Sequence, residues 1–230
     1  MNDVSFIIPA YNEEESIGPL LKTIKTIYKD SKILVIDNNS IDKTAEIASN
    51  LGVEVIFEEK QGKAHAMRTG FKHSNSKYVV MMDADNTYDP ADAKKLIAPL
   101  KNGEVDLVLG SRLNGNKEKG AISKRNIIGN YILSLLASLF YHPVSDVCTG
   151  YWAFNYKVID YLRDIGLECS GFEMEAEMFA KISKGKFRIS EIPITYKTRL
   201  DKPKLKSFSD GFKIFKTLLK HKFVLLFDEL

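Results

Sequence analysis

Residues 4–110 alternate short apolar runs with stretches whose apolar positions recur at helical spacing, and the runs halt at polar residues. Val4–Pro9 has strand length and is closed by Tyr11 and Asn12. Ile17, Leu20, Leu21, Ile24 and Ile27 then repeat at the period of a helix. Lys32–Ile36 reads as a second buried strand ending at Asp37-Asn38-Asn39-Ser40. Ser40 is placed to cap a helix carrying Ala45, Ile47, Ala48 and Leu51, which Gly52 stops. Val53–Phe57, Tyr78–Met82 and Asp106–Gly110 supply three more strands. Helices fall over Gly62–Phe71 and from the Asp89-Pro90 start to Leu100. Strands separated by helices predict right-handed βαβ units, hence an α/β fold with a mostly parallel central sheet flanked by helices. Ligands of such sheets sit beyond the carboxyl ends of the strands. Tyr11-Asn12-Glu13, Asp37–Ser40 and Asp83–Asp85 all stand at such ends, so three strand ends are expected to share one cleft.

Beyond residue 111 the pattern changes. Ile122–Tyr141 predicts an apolar helix, Gly150–Phe154 a short strand and Phe172–Ile182 a helix. Phe187–Ile192 and Ile194–Arg199 read as two strands meeting near Pro193, and Phe208–Phe227 as an amphipathic C-terminal helix. The 230 residues suit one α/β domain, and without a repeat or linker the expectation is a single domain over 1–230. Its longest apolar run, Tyr131–Tyr141, is broken by Ser134 and Ser138 and falls short of the roughly 18 residues that span a bilayer. Cys148 and Cys169, with no signal peptide ahead of them, predict packed thiols in a reducing compartment. The net charge of +3 is uneven: Lys181–Lys222 holds thirteen Lys and Arg against three acids, so that stretch carries +10 and the rest −7. Such a basic tail suits an anionic partner. A nucleic acid is disfavoured, because no aromatic-basic recognition module is visible.

Asp83-Ala84-Asp85 is the sharpest chemical feature. Two carboxylates two residues apart behind a buried strand are costly unless a cation or donors hold them. Mg²⁺ or Mn²⁺ takes one or two carboxylates together with substrate phosphates, and the small Ala84 lets a diphosphate approach. The bland alternative, an acidic loop capping the next helix, is weakened because Asp89 already serves that role. Asp37-Asn38-Asn39-Ser40, with Asp42 and Thr44, either reads a nucleobase or ribose or supplies ordinary turn and cap chemistry. Gly62-Lys63 opens a helix, where N–H groups and a lysine favour phosphate. Glycine before a helix is also commonplace, and neither GxGxxG nor a Walker sequence follows the first strand, which disfavours a dehydrogenase or NTPase.

Together these segments resemble the family 2 glycosyltransferases of the GT-A fold. The resemblance runs through Val4–Glu14, Val35–Thr44, Gly62-Lys63 and Val80–Asp85, in the family's order and spacing. Within that family the chain is similar to polyprenyl-phosphate (dolichyl-phosphate) hexose synthases, through Gly110-Ser111-Arg112, Thr149-Gly150-Tyr151, Phe172-Glu173-Met174-Glu175 and the Arg199 hairpin. The resemblance implies an inverting transfer of a hexose or N-acetylhexosamine from a UDP- or GDP-linked sugar to a polyprenyl phosphate, for glycan or protein glycosylation. Residues 1–111 would be the nucleotide-sugar half, 112–206 the acceptor half and 207–230 the amphipathic helix. Pro9, Tyr11, Glu13, Asp37 and Asn38 would surround the nucleoside. Lys63, Asp83 and Ala84 would lie near the diphosphate, Asp83 and Asp85 on the metal, and Arg199 with Lys204 would close over the diphosphate. Arg112 and Arg125 would hold the acceptor phosphate. Four positions depart from the family pattern. Asn38 replaces a common second Asp, Thr87 a Gln near the metal of mannosyl synthases, Cys148 a small residue and Gly129 a Ser. The first two lean the donor toward UDP.

The acceptor decides the remaining chemistry. A hydroxyl needs a general base, for which Asp146 is the candidate; a lipid phosphate is already ionised and needs arginines to position it. Asp85, Arg112 and Asp146 are thus the expected catalytic set, while Glu173 and Glu175 read as solvated or paired with the basic hairpin. The helix Ile122–Tyr141 reads as core or, with the C-terminal helix, as a surface lying in a bilayer interface. That predicts a protein peripheral on the cytoplasmic face of a membrane, touching an anionic surface or a membrane-anchored partner. The competing readings are a family 2 enzyme acting on a glycan or soluble hydroxyl, and a non-catalytic nucleotide-binding, membrane-docking module.

Overall fold

The computed structural model describes residues 3–199 and 207–223. A seven-stranded sheet runs in the order β3-β2-β1-β4-β6-β5-β7. Its strands are β1 (Val4–Ala10), β2 (Lys32–Asp37), β3 (Glu54–Phe57), β4 (Tyr78–Met81), β5 (Leu107–Ser111), β6 (Trp152–Asn155) and β7 (Ile189–Pro193). The helices are α1 (Ile17–Ile27), α2 (Thr44–Asn50), α3 (Lys63–His73), α4 (Ala93–Lys101), α5 (Lys124–Phe140), α6 (Tyr156–Ile165), α7 (Met174–Lys184) and α8 (Ser207–Phe223). β1 pairs in parallel with β2 and β4, β2 with β3 and β5 with β7. β6 alone is antiparallel, wedged between β4 and β5.

The strands are apolar throughout because both faces are covered. Phe6, Ile8, Val35 and Val80 pack with Leu20, Leu21 and Ile24 of α1 and with Leu96 and Ile97 of α4. Ile7, Leu34, Ile36, Val79 and Met81 point the other way, toward Met67 and Phe71 of α3 and Met178 and Phe179 of α7. Alternate residues of one strand thus feed two cores.

Several expectations need correction. Ser40 does not cap α2; its Oγ accepts the N–H of Asn12 at 3.0 Å, and Asp42 Oδ1 instead accepts the N–H and hydroxyl of Thr44 at 3.0 and 2.6 Å. No hairpin forms about Pro193. β7 lies parallel to β5, and the following segment makes only isolated bridges from Tyr196 to Tyr88 and Lys117. α6 was not anticipated, although its signals are present. Val158, Ile159 and Leu162 form a buried face, Asn155 Oδ1 accepts the Val158 N–H at 3.2 Å, and Gly166 at φ 65° ends the helix. Among the described residues α8 reaches Phe223, and no helix is long and apolar enough to cross a membrane. Lys204 lies outside the described residues.

Candidate active site

The loops beyond β1, β2 and β4 each turn at an asparagine in the left-handed region: Asn12 at φ 49°, Asn39 at 62° and Asn86 at 57°. Asparagine tolerates this conformation better than most residues. The first two loops are laced together. Asn12 Oδ1 accepts the Ile41 N–H at 2.9 Å, and Thr44 Oγ1 accepts the Glu13 N–H at 2.7 Å. Asp37 is buried behind them, with Oδ1 accepting the Ser40 N–H at 3.3 Å. Asn38 reaches sideways: its amide donates to the Lys60 carbonyl at 2.7 Å and its Oδ1 accepts the Gly62 N–H at 2.7 Å. That pair fixes the turn into α3, where Gly62 stands at φ 134° with a β-carbon's place taken by the Ser170 carbonyl oxygen.

A cleft of about 390 Å³ opens over these loops, lined by Pro9, Tyr11, Glu13, Asn38 and Ala84 among others. Beside it lies a second cleft of about 430 Å³, reaching Arg112 and Arg125. Lys63, Asp83, Asp85, Phe172 and Arg199 line both, so they form the shared wall. Asp37 stands behind the first cleft rather than in its wall. Gln61, Phe172 and Glu175 line the clefts without having been singled out for the site.

The shared wall is an ion network. Lys63 Nζ sits 2.5 Å from Asp83 Oδ1 and 2.6 Å from Glu175 Oε1. Arg199 places Nη1 2.9 Å from Asp85 Oδ2 and Nη2 2.6 Å from Glu13 Oε1. Asp85 Oδ1 accepts the Thr87 N–H at 3.1 Å and its hydroxyl at 2.6 Å. Burial first, then the charge of Asp83, push the Asp85 carboxyl above its ordinary value despite Arg199 and Thr87. Burial likewise raises Glu175 against the pull of Lys63. Burial acting alone would lower Lys63, yet Asp83 and Glu175 hold it above the usual lysine range. Glu13, Asp83, Asp85 and Glu175 thus bring four carboxylates together around Lys63 and Arg199. A divalent cation with oxygen preference fits that donor set, with Asp83 and Asp85 as the residues that would hold it.

In the second cleft Arg112 is tied to the fully buried Asp146. Its N–H and Nε reach Asp146 Oδ2 at 2.9 and 2.8 Å, and its Nη2 reaches Oδ1 at 2.7 Å. The guanidinium lies 5.4 Å from the centre of the Tyr196 ring. Both Asp146 oxygens accept from Arg112, which is the geometry of an orienting carboxylate and not that of a base open to a substrate. Arg125 is exposed on the first turn of α5, whose cap is Ser123 Oγ accepting the Asn126 N–H at 3.2 Å. Cys148 packs against the core, and burial pushes its thiol up to about 12, so it is no nucleophile. Glu175 corrects the sequence reading most sharply: it is neither solvated nor paired with a hairpin, but buried against Lys63.

The glycosyl transferase family 2 model matches residues 5–163. The chain belongs to that family. It is 33% identical over 225 residues to Glycosyltransferase AglJ of Haloferax volcanii, covering 94% of this chain and 71% of that protein. It is 30% identical over 223 residues to the dolichyl-phosphate hexose transferase of the same organism, covering 95% and 93%. Glucosyl-3-phosphoglycerate synthase from Mycobacterium tuberculosis, solved with Mn²⁺, uridine-diphosphate-glucose and phosphoglyceric acid, superposes with a TM-score of 0.76. The two share 21% identity over 95% of this chain and 79% of that one, and the likeness establishes the GT-A fold. In this family 2 chain the mostly parallel sheet, the strand-end loops and the Asp83-Ala84-Asp85 turn thus follow the fold that the sequence led one to expect.

α5 buries only Leu133, Ser134 and Ala137. Ile128, Tyr131, Ile132, Leu135 and Leu139 stand exposed on it, the last at 72%, and α8 adds Phe208, Phe212, Phe215 and Phe223. Exposed apolar side chains gathered on two helices in this way are a candidate contact surface.

Proposed function

We propose that this chain transfers a hexose or N-acetylhexosamine from a nucleoside-diphosphate sugar to a polyprenyl phosphate, with inversion. The donor occupies the first cleft and the acceptor phosphate the second, so that the sugar lies at the wall they share. The carrying observation is that wall: the Asp83–Asp85 turn faces both clefts, and the second cleft ends in Arg112 and Arg125. Residues 1–111 serve as the nucleotide-sugar half and 112–206 as the acceptor half, followed by the amphipathic helix α8.

A bound Mg²⁺ or Mn²⁺ offsets the negative charge that grows on the departing nucleoside diphosphate. The protein's own groups do the rest. Arg112, aimed by Asp146, and Arg125 hold an acceptor phosphate that is already ionised, which removes the need for a general base. Arg199 leaves Glu13 and Asp85 to meet the diphosphate. Pro9, Tyr11 and Asn38 border the nucleoside, and Asp37 stiffens that wall from behind. Asn38 and Thr87 support a UDP-linked donor.

The apolar residues exposed on α5 and α8, with Lys213, Lys216, Lys220 and Lys222 on the same α8, support peripheral contact with an anionic membrane surface. The test is incubation with radiolabelled UDP- and GDP-sugars, Mn²⁺ or Mg²⁺ and a short polyprenyl phosphate in anionic vesicles. Label moving into the organic phase supports the reading. Equal turnover without lipid, with label in a water-soluble product, overturns it in favour of a hydroxyl acceptor.

A further inference from the structure

Asp83 is one of the two carboxylates that line both clefts. Lys63 Nζ grips Oδ1 at 2.5 Å. The same carboxylate lies against Gly150, in the loop that enters β6. A β-carbon built on Gly150 would fall closest to Asp83 Oδ2 and 2.8 Å from both Cγ and Oδ1. No backbone requirement explains this glycine, because the left-handed glycines are Gly52, Gly62, Gly103, Gly120 and Gly166. The backbone at 150 is also pinned. Its N–H donates to Tyr88 Oη at 2.7 Å, and the fully buried Tyr88 ring sits 5.2 Å from each of Tyr151 and Tyr196. Gly150 therefore cannot retreat from a side chain added to it. The group left to move is the Asp83 carboxylate, which has two side-chain torsions and one ammonium holding it.

We propose that Gly150 is a positioning residue for the divalent-cation site: it is glycine so that Asp83 can lie in the volume a β-carbon would fill. This rests on the reading of Asp83 and Asp85 as metal ligands. A side chain at 150 turns the Asp83 oxygens away from Asp85 while leaving the arginines of the second cleft in place.

The experiment is a double-mutant cycle of Gly150→Ala and Asp83→Ala, read by Mn²⁺ binding in the presence of UDP through electron paramagnetic resonance, together with apo melting temperatures. Supporting-residue changes around metal ligands typically weaken metal affinity 10–100-fold, so G150A should raise the Mn²⁺ Kd at least about tenfold. In the D83A background G150A should add less than about twofold, since both act through one carboxylate. The KM for the acceptor should not move. A folded G150A that binds Mn²⁺ like the wild type, or losses that add across the cycle, overturns the assignment. Should G150A fold poorly, D83A/G150A should recover the melting temperature of D83A. A pair that stays unstable places the need for glycine elsewhere and refutes the idea. A wild-type protein that binds neither Mn²⁺ nor Mg²⁺ sinks the metal reading itself, which is distinguishable from failure of Gly150 alone.

Discussion

Asp146→Asn separates an orienting carboxylate from a catalytic base. Asp146 has no exposed surface and receives three bonds from Arg112, through the backbone N–H, Nε and Nη2. The amide keeps the shape but removes the charge, and one of its two ends is a donor facing a donor. Removing one partner of a buried ion pair typically costs about 3–5 kcal/mol, because the remaining charge is left without compensation. The Arg112 side chain is 11% exposed, so solvent relieves little of that. For a chain of this size roughly 2–4 °C of melting temperature accompanies each kcal/mol, so the variant should melt about 6–20 °C lower. Kinetics should show a raised KM for polyprenyl phosphate, as Arg112 loses its aim, with kcat reduced less than about a hundredfold, the lower range for loss of a general base. The assay is initial rates across acceptor concentration at a temperature where the variant is folded. A fall in kcat beyond a hundredfold at unchanged acceptor KM would refute the orienting role and restore Asp146 as base for a hydroxyl acceptor.

Arg199→Ala strips the cation from Glu13 and Asp85. Without nucleotide the variant should bind Mn²⁺ more tightly than the wild type, while turnover falls, and isothermal titration set against initial rates separates the two effects. For Glu177, burial pushes the carboxyl upward, but hydrogen bonds from Cys169, Lys181 and the N–H groups of Glu168 and Cys169 outweigh it and bring it to about 2. A depressed carboxylate stabilises the fold above its unfolded value of 4.5 and loses that contribution as pH falls toward 2. Glu177→Gln should therefore be destabilised at pH 7, with the gap to wild type narrowing in urea titrations between pH 5 and 2. Leu139→Glu, at a site 72% exposed, should change stability by no more than about 0.5 kcal/mol. It should weaken co-sedimentation with anionic vesicles at low salt; unchanged binding would remove α5 from the membrane-facing surface.

What is legible in the sequence follows the physics of each element. β1, β2 and β4 are continuous apolar runs that halt at polar residues, and a run buried on both faces can halt in that way only at the rim of the sheet. Hence the position of the cleft was legible, and with it Tyr11, Glu13, Asp83 and Asp85. Direction was not legible for β6. Trp152–Asn155 is a short apolar run whose side chains say it is buried but not which way it runs. The hairpin at Pro193 failed for a related reason: the apolar residues of Phe187–Ile192 are equally satisfied by a parallel partner, and β5 supplies one. Ser40 carries a cap residue's chemistry, but its hydroxyl is taken by the Asn12 N–H, a contact 28 residues away that no local pattern contains.

Partners distant in sequence also account for Glu175 and give the site its logic. Met174-Glu175-Ala176-Glu177 looks like the polar start of an amphipathic helix, yet α7 is buried from Met174 through Ile182. Glu175 is tolerated there because Lys63, 112 positions earlier, supplies its counter-charge. Lys63 in turn serves Asp83 as well, so one ammonium is divided between the buried Glu175 and the half-buried Asp83. Arg199 is divided in the same way between Glu13 and Asp85. Burial, which Arg199 and Lys63 do not outweigh, keeps the carboxyls of Asp85 and Glu175 above their ordinary values. A fully neutralised network would bind no cation, and one with no internal bases would be too costly to fold around before a cation arrived. Lys63 and Arg199 meet the second demand, and the oxygens of Asp83 and Asp85 are the donors a divalent cation would take at the turn where the diphosphate of a donor would lie.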